Sequence, residues 1–469
     1  MGGVFKQGEQ KIRPGSYYRY TNIGDDPGTL TRGGIVAIPI TAQYGPLGEV
    51  VEIRAERDIA PAFGTGAGED AVRYLLRGGA SVVKVVRVGS GGTKESFVVK
   101  DDADAEAVKL TAKHPGVIHM AITIRDNVAD SNRRDALITT GLLQLARYTY
   151  IKGDDEAKAL VNAITADPAA PVDAEFVATG SGELAPVNQA AFTEGASPTT
   201  TIEDYDNALA VLATTPFFLA AVDSDDTAIH ALLFSFVSRM VTEGFMCVAI
   251  CGQPLNVSFE ARLEAARTYN SINMIYVLNG GYDSEGELVE GYRMAALIGG
   301  MIAATPSNRS ITHMPVPDIA RLAGALSNEQ IENTILNGAL VLSRSQTGTV
   351  WVEVGINTLN VLSKDLDAGW KKIRRAKTRY ELITRVNMDT DNVIGQLSNN
   401  DSGRKTLIGM AISVINAMIG EEKLTAGSIV PDPENPPMGD SAWFVFAVDD
   451  LDSIEKVYYT HGFRFSGVQ

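Results

Sequence analysis

From residue 201 onward the chain alternates short apolar runs with longer amphipathic ones, a rhythm that few folds accept. Residues 202–212 read as a helix, 217–222 as a strand, 225–243 as a helix, 245–251 as a strand, 258–269 as a helix and 274–278 as a strand. Strands alternating with helices of this length predict a parallel α/β unit, because a parallel neighbour needs a crossover of a dozen residues or more. The strands are apolar along their whole length, as in a sheet covered on both faces. Two earlier runs, 33–40 and 80–88, have the same character and are expected to complete the same sheet. A helix around 69–77, closed by Gly78-Gly79, separates them.

Residues 91–200 read differently. Gly, Ser, Thr, Ala and Asp dominate, 95–100 and 117–124 alternate like strands, 154–165 suits a helix, and Pro168, Pro171, Pro186 and Pro198 punctuate the rest. This predicts a smaller β-rich inserted domain. The last part opens with runs at 340–342 and 350–354. It continues into helices at 365–384 and 402–418. It ends in an expected strand pair, 443–448 and 455–460, flanking Asp449-Asp-Leu-Asp. Near the start, Ser16-Tyr-Tyr-Arg-Tyr is aromatic and β-prone, with no local sheet to join. At 469 residues the chain exceeds one compact core. The expected division is an N-terminal arm (1–25), a central α/β domain in two parts (26–90 and 201–345), the insertion (91–200), a C-terminal domain (346–440) and a C-terminal arm (441–469).

Residues that carry chemistry are sparse. The five histidines are scattered, with no paired metal-ligand spacing. Cys247 and Cys251 fall in an apolar strand and are expected in the core. Gly64-Thr-Gly-Ala-Gly and Gly89-Ser-Gly-Gly-Thr-Lys hint at phosphate loops. Neither has the P-loop spacing, and the second leads into a strand pattern. No catalytic residue, metal or cofactor is expected. A nucleotide-binding α/β enzyme with accessory domains is the alternative reading, and it needs a polar pocket at the carboxyl ends of the strands. The net charge of −16 argues against binding nucleic acid with the surface as a whole. No apolar stretch approaches the ~20 residues of a membrane span. The opening Met1-Gly-Gly-Val-Phe-Lys lacks the apolar run of a secretory leader, and the cysteine usage suits a cytoplasm.

One local feature departs from this acidic background. Between Trp370 and Val386 stand seven basic residues, Lys371, Lys372, Arg374, Arg375, Lys377, Arg379 and Arg385, and one acidic residue, Glu381. Trp370, Ile373, Ala376, Tyr380 and Ile383 form an apolar stripe at helical spacing. The pattern predicts a helix with one face packed inward and a positive ridge outward. A solvated face normally mixes both signs; this one does not, which favours docking on an acidic partner.

Several motifs then occur in a telling order: Gly3-Val-Phe-Lys-Gln with Lys11-Ile-Arg-Pro-Gly-Ser-Tyr-Tyr, Gly33-Gly-Ile-Val-Ala-Ile-Pro, Gly299-Gly-Met-Ile-Ala-Ala with Ser310-Ile-Thr, Gly355-Ile-Asn-Thr-Leu, and Leu451-Asp-Ser-Ile-Glu-Lys-Val-Tyr-Tyr-Thr. Together they resemble contractile tail sheath proteins of bacteriophages, of the myophage and defective-prophage type. The resemblance covers residues 1–90 and 200–469, and residues 91–200 match none of its motifs. The opening tyrosines stand where Val-Tyr is more usual.

The resemblance implies an α/β and α+β multidomain fold: a central α/β sheet domain, a sheath-type C-terminal domain with exchanged terminal strands, and the β-rich insertion. It implies a structural subunit and no enzyme. Such subunits form stacked hexameric rings around a tail tube protein, meet baseplate and tail terminator proteins, and contract to drive the tube through a cell envelope. Nucleic acid is not contacted and no membrane is entered. The expected place is a virion tail or phage-tail-like particle, assembled in the host bacterial cytoplasm. Strand exchange between subunits would involve Ser16, Tyr17, Tyr18, Arg19 and Tyr20 at one end. At the other it would involve Phe444, Val445, Phe446, Ala447 and Val448, with Glu455, Lys456, Val457, Tyr458 and Tyr459. The seven basic residues would dock on the acidic outside of the tube.

Overall fold

The computed structural model describes residues 33–177, 183–363 and 366–464, with the backbone of Gly3–Val4 and Tyr17–Tyr18. It is a mixed α/β structure with several sheets, in two units, Met1–Arg32 and Gly33–Gln469. In the first unit Tyr17–Tyr18 pairs in parallel with Gly3–Val4. The tyrosine segment therefore has a local partner, a correction to its expected isolation. Ser16, Arg19 and Tyr20 lie outside the described residues.

The second unit is organised on a six-stranded sheet. Its strands are β1 (Ile35–Ile40), β2 (Val50–Ile53), β3 (Val82–Arg87), β4 (Leu219–Ala220), β5 (Val248–Gly252) and β6 (Met274–Val277). The order is β6-β5-β4-β1-β3-β2, parallel except for the edge strand β2. The sheet thus draws strands from both sides of residues 91–200. Alternate residues face two cores. Val36, Ile38 and Ile40 pack with Ala71, Val72 and Leu75 of α1 (Ala67–Arg77) and with α5 (Gly291–Ala304). Ala37, Ala249 and Tyr276 pack with α2 (Ile202–Leu212), α3 (Thr227–Thr242) and α4 (Phe259–Tyr269). Cys247 and Cys251 are buried in the second core.

Helices α1 and α5 touch backbone to backbone. A Cβ on Gly300 would stand 2.1 Å from the Leu75 carbonyl oxygen, and one on Gly78 would stand 2.2 Å from that of Leu297. The glycine pairs seen in the sequence permit this crossing.

Residues 96–191 form two antiparallel sheets and the helix Glu156–Thr165 around a core of their own, including Leu110, Ile122, Ile138 and Leu160. Arg87, at the end of β3, binds them to the central sheet. It donates to the carbonyls of Ala42 (3.0 Å), Gly45 (2.8 Å) and Pro115 (2.7 Å).

After the central sheet come α6 (Ile373–Asp391), α7 (Asp401–Gly420) and the hairpin of β7 (Leu424–Pro431) and β8 (Phe444–Asp450). The expected pairing of 443–448 with 455–460 is corrected here. β8, which holds Phe444 to Val448, pairs with β7, while 451–464, with Glu455 to Tyr459, is extended and joins no strand. The run Asp449-Asp-Leu-Asp is no hairpin turn, because Asp449 and Asp450 belong to β8.

Candidate assembly interface

The basic helix is set in place by the Gly355-Ile-Asn-Thr-Leu motif. Thr358 N–H donates to Met274 O (2.8 Å) at the start of β6, and its hydroxyl donates to Ser271 O (3.1 Å). Asn357 donates through Nδ2 to Trp370 O (2.6 Å) and through its backbone N–H to Lys371 O (3.0 Å). Ile373 N–H donates to Gly355 O (3.1 Å). A 3₁₀ turn, Ala368–Lys371, capped by Asp367, precedes α6. Ile373, Ala376 and Tyr380 are buried, as the apolar stripe predicts.

The outward positive ridge is not observed: six of the basic residues bind groups inside the chain and the seventh, Arg374, is buried. Two of them place an ammonium on the carbonyl end of another helix, where the dipole favours a cation. Lys371 Nζ donates to Ile335 O (2.7 Å) and Leu336 O (3.3 Å). Lys377 Nζ donates to Ile302 O (2.7 Å), Ala303 O (3.2 Å) and Thr305 O (2.6 Å), at the end of α5. Burial pushes the Lys377 ammonium down to about 7. Arg385 forms a fork on Glu421 (2.8 and 2.9 Å) and also reaches Glu381 (2.5 Å).

The remaining cations face the C-terminal segment. Arg375 grips Asp450 with two bonds (2.8 and 2.7 Å), and Arg379 adds two more (both 3.1 Å) while also pairing with Asp367 (3.0 Å). Burial alone would raise the Asp450 carboxyl, but the hydrogen bonds from Arg375 and Arg379 outweigh it and hold it down at about 2. Lys372 pairs with Asp452 (2.7 Å) and Glu455 (3.0 Å). Glu455 also accepts from Ser310 Oγ (3.1 Å) and Thr312 Oγ1 (3.0 Å). Arg374 is buried beside these carboxylates, its pKa lowered by burial. The physical reason for the correction is distance along the chain: charges unmixed over seventeen local residues are mixed by carboxylates brought from positions 421–455. The run Asp449-Asp-Leu-Asp, opposite in sign to the helix, was the signal that could have shown this.

The alternative site, the crevice at the carboxyl ends of β1 and β4, is filled. Here the strand order reverses, the place where α/β sheets bind ligands. The Asp223 carboxylate accepts from Thr41 N–H (2.6 Å), Thr41 Oγ1 (2.7 Å) and Tyr205 OH (2.6 Å). The run Gly64-Thr-Gly-Ala-Gly does open a helix, α1. A Cβ on Gly68 would lie 2.0 Å from Thr41 O and 2.8 Å from Asp223 Oδ2, leaving no room for a phosphate. Buried carboxylates, Asp223 and Glu69, stand where an anion would bind. Among the described residues no helix is long and apolar enough to cross a membrane.

The fold is thus a parallel sheet whose crevice is occupied by Asp223 and its partners, an insertion with its own core, and a charged C-terminal hairpin region. Residues 199–358 match the family model for the phage tail sheath protein central domain. The protein XkdK of the phage-like element PBSX of Bacillus subtilis (strain 168) is 23% identical over 494 residues, with 98% of each chain covered. The sheath tail protein of Desulfitobacterium hafniense has a similar fold, with a TM-score of 0.64 at 20% identity over 92% of this chain and 100% of that one. The helical sheath of the anti-feeding prophage in its contracted state has a TM-score of 0.54 at 8% identity, over 91% of this chain and 92% of that one.

Proposed function

We propose that this chain is the subunit of a contractile tail sheath. It polymerises as stacked hexameric rings around a tail tube and shortens to drive the tube through a target cell envelope. Baseplate and tail terminator proteins bound the polymer, which sits in a virion tail or phage-tail-like particle assembled in the bacterial cytoplasm.

One observation carries the reading. Residues 451–464 run extended without a strand partner, and Ile454, Tyr458 and Phe463 are 88%, 87% and 94% exposed. Beside them, β7 and β8 make a sheet of two strands only, with Val430, Val445 and Phe446 exposed. Such a sheet is marginal alone, and an extended apolar segment is suited to adding a strand to it. One subunit's segment therefore completes the sheet of the next, joined by backbone hydrogen bonds. The N-terminal segment is proposed to add a further strand. In this reading α6 reaches the acidic outside of a tube only by exchanging its present carboxylate partners for the tube's.

Truncation after Glu455 keeps every ion pair described above and removes only the free end. The shortened chain is expected to stay folded and monomeric, while the full chain forms tubes in negative-stain micrographs. Tubes formed equally well by the truncated chain would refute strand addition by this end.

A further inference from the structure

The C-terminal segment is held in three grades. Asp450 is fixed: it ends β8, is 7% exposed at its side chain, and accepts four hydrogen bonds from Arg375 and Arg379. Residues 456–464 carry the exposed Val457, Tyr458, Tyr459 and Phe463. Between them, residues 451–455 are held mainly by polar contacts. Lys372 binds Asp452 and Glu455, Ser310 and Thr312 donate to Glu455, and Leu451 N–H donates to Lys423 O (3.0 Å). Little apolar burial adds to this, since Ile454 points into water. The Lys372 and Asp452 side chains keep 28% and 32% exposure, so water and salt compete for their pair.

We propose that Lys372, Ser310 and Thr312 form a releasable clamp on Asp452 and Glu455 that stores slack in the arm joining one subunit to the next. The inference rests on the sheath reading above. Closed, the clamp makes the arm depart after Glu455. Open, the arm departs from Leu451, still tied to Lys423 O, and gains four residues of extended chain, roughly 13 Å of reach. A polymer whose subunits shift against each other while their added strands stay paired needs a reserve of this kind. The clamp is closed in the extended tube and opens as the tube shortens. Asp450 remains bound throughout, so the subunit keeps its own hairpin.

The test uses full-length chain carrying Thr312→Cys and Glu455→Cys, bridged by a short bis-methanethiosulfonate reagent that a reductant cleaves. Cys247 and Cys251 are buried and do not compete for the reagent. Parent tubes are first made to shorten with mild urea; if parent chain forms no tubes, it is the sheath reading that fails. The bridged chain is expected to form extended tubes that do not shorten, and reductant is expected to restore shortening. Bridged tubes that shorten like the parent would overturn the clamp. So would a bridged chain that forms no tubes while the cleaved chain does. Should the cysteine chain form none in either state, Lys372→Gln decides. Its tubes should shorten at lower urea than the parent's, and an unchanged threshold, or no tubes, overturns the proposal.

Discussion

Asp450 shows how much of this interface depends on single side chains. Its carboxyl is held at about 2, below the ~3.9 of a free Asp, because Arg375 and Arg379 surround the charged form. A carboxylate whose pKa falls on folding stabilises the fold above its unfolded value and loses that contribution as pH falls towards its folded value. Asp450→Asn should therefore lower the urea unfolding free energy by about 2 kcal/mol at neutral pH. The gap between parent and variant should close between about pH 4 and about pH 2. A gap independent of pH would place the stabilisation elsewhere. The cations of α6 were legible in the sequence, and so was the buried face of that helix. Their partners were not, because Asp450, Asp452, Glu455 and Glu421 lie 36–83 residues away along the chain. Nothing local marks Lys371 or Lys377 as a lysine whose ammonium caps a distant helix.

At the scale of elements, strongly periodic segments were the readable ones. The helices α1 to α4 and the parallel strands follow from apolar runs long enough to show their period. β2 and β7 did not. β2 is a four-residue edge, and β7 contains Gly427 and ends in Pro431, residues that dilute a strand pattern. The crossing of α1 and α5 gives a sharp prediction. Gly300→Ala places a methyl against the Leu75 carbonyl, a backbone group that cannot turn aside. Unfolding in urea should show a loss of roughly 3 kcal/mol, the upper range for overpacking. Little or no loss would mean the helices can separate. The Gly355-to-Leu359 strap makes a second one. Asn357→Ala removes the side-chain bonds to Trp370 O and Ile272 O from a buried site. This should cost about 2 kcal/mol by the same measurement. If stability is unchanged, the strap does not hold α6.

At the scale of the whole molecule, the central sheet is self-sufficient and the C-terminal end is not. The sheet is covered on both faces, and Asp223 with its partners occupies the crevice at its carboxyl ends. The end of the chain has the opposite character, with a two-stranded sheet and an apolar strap lying in water. The proposed polymer subunit rests on that contrast between a finished core and an unfinished rim. The order of the sequence motifs carries the resemblance, yet it could not show which strands stay at home. Phe444 to Val448 pair within their own hairpin, so the proposed strand exchange falls to the residues beyond Glu455. A helical reconstruction of the assembled polymer tests this directly. The account predicts residues 457–463 of one subunit as an added strand on the β7–β8 sheet of the next. Density that follows the arm back onto its own subunit would contradict it.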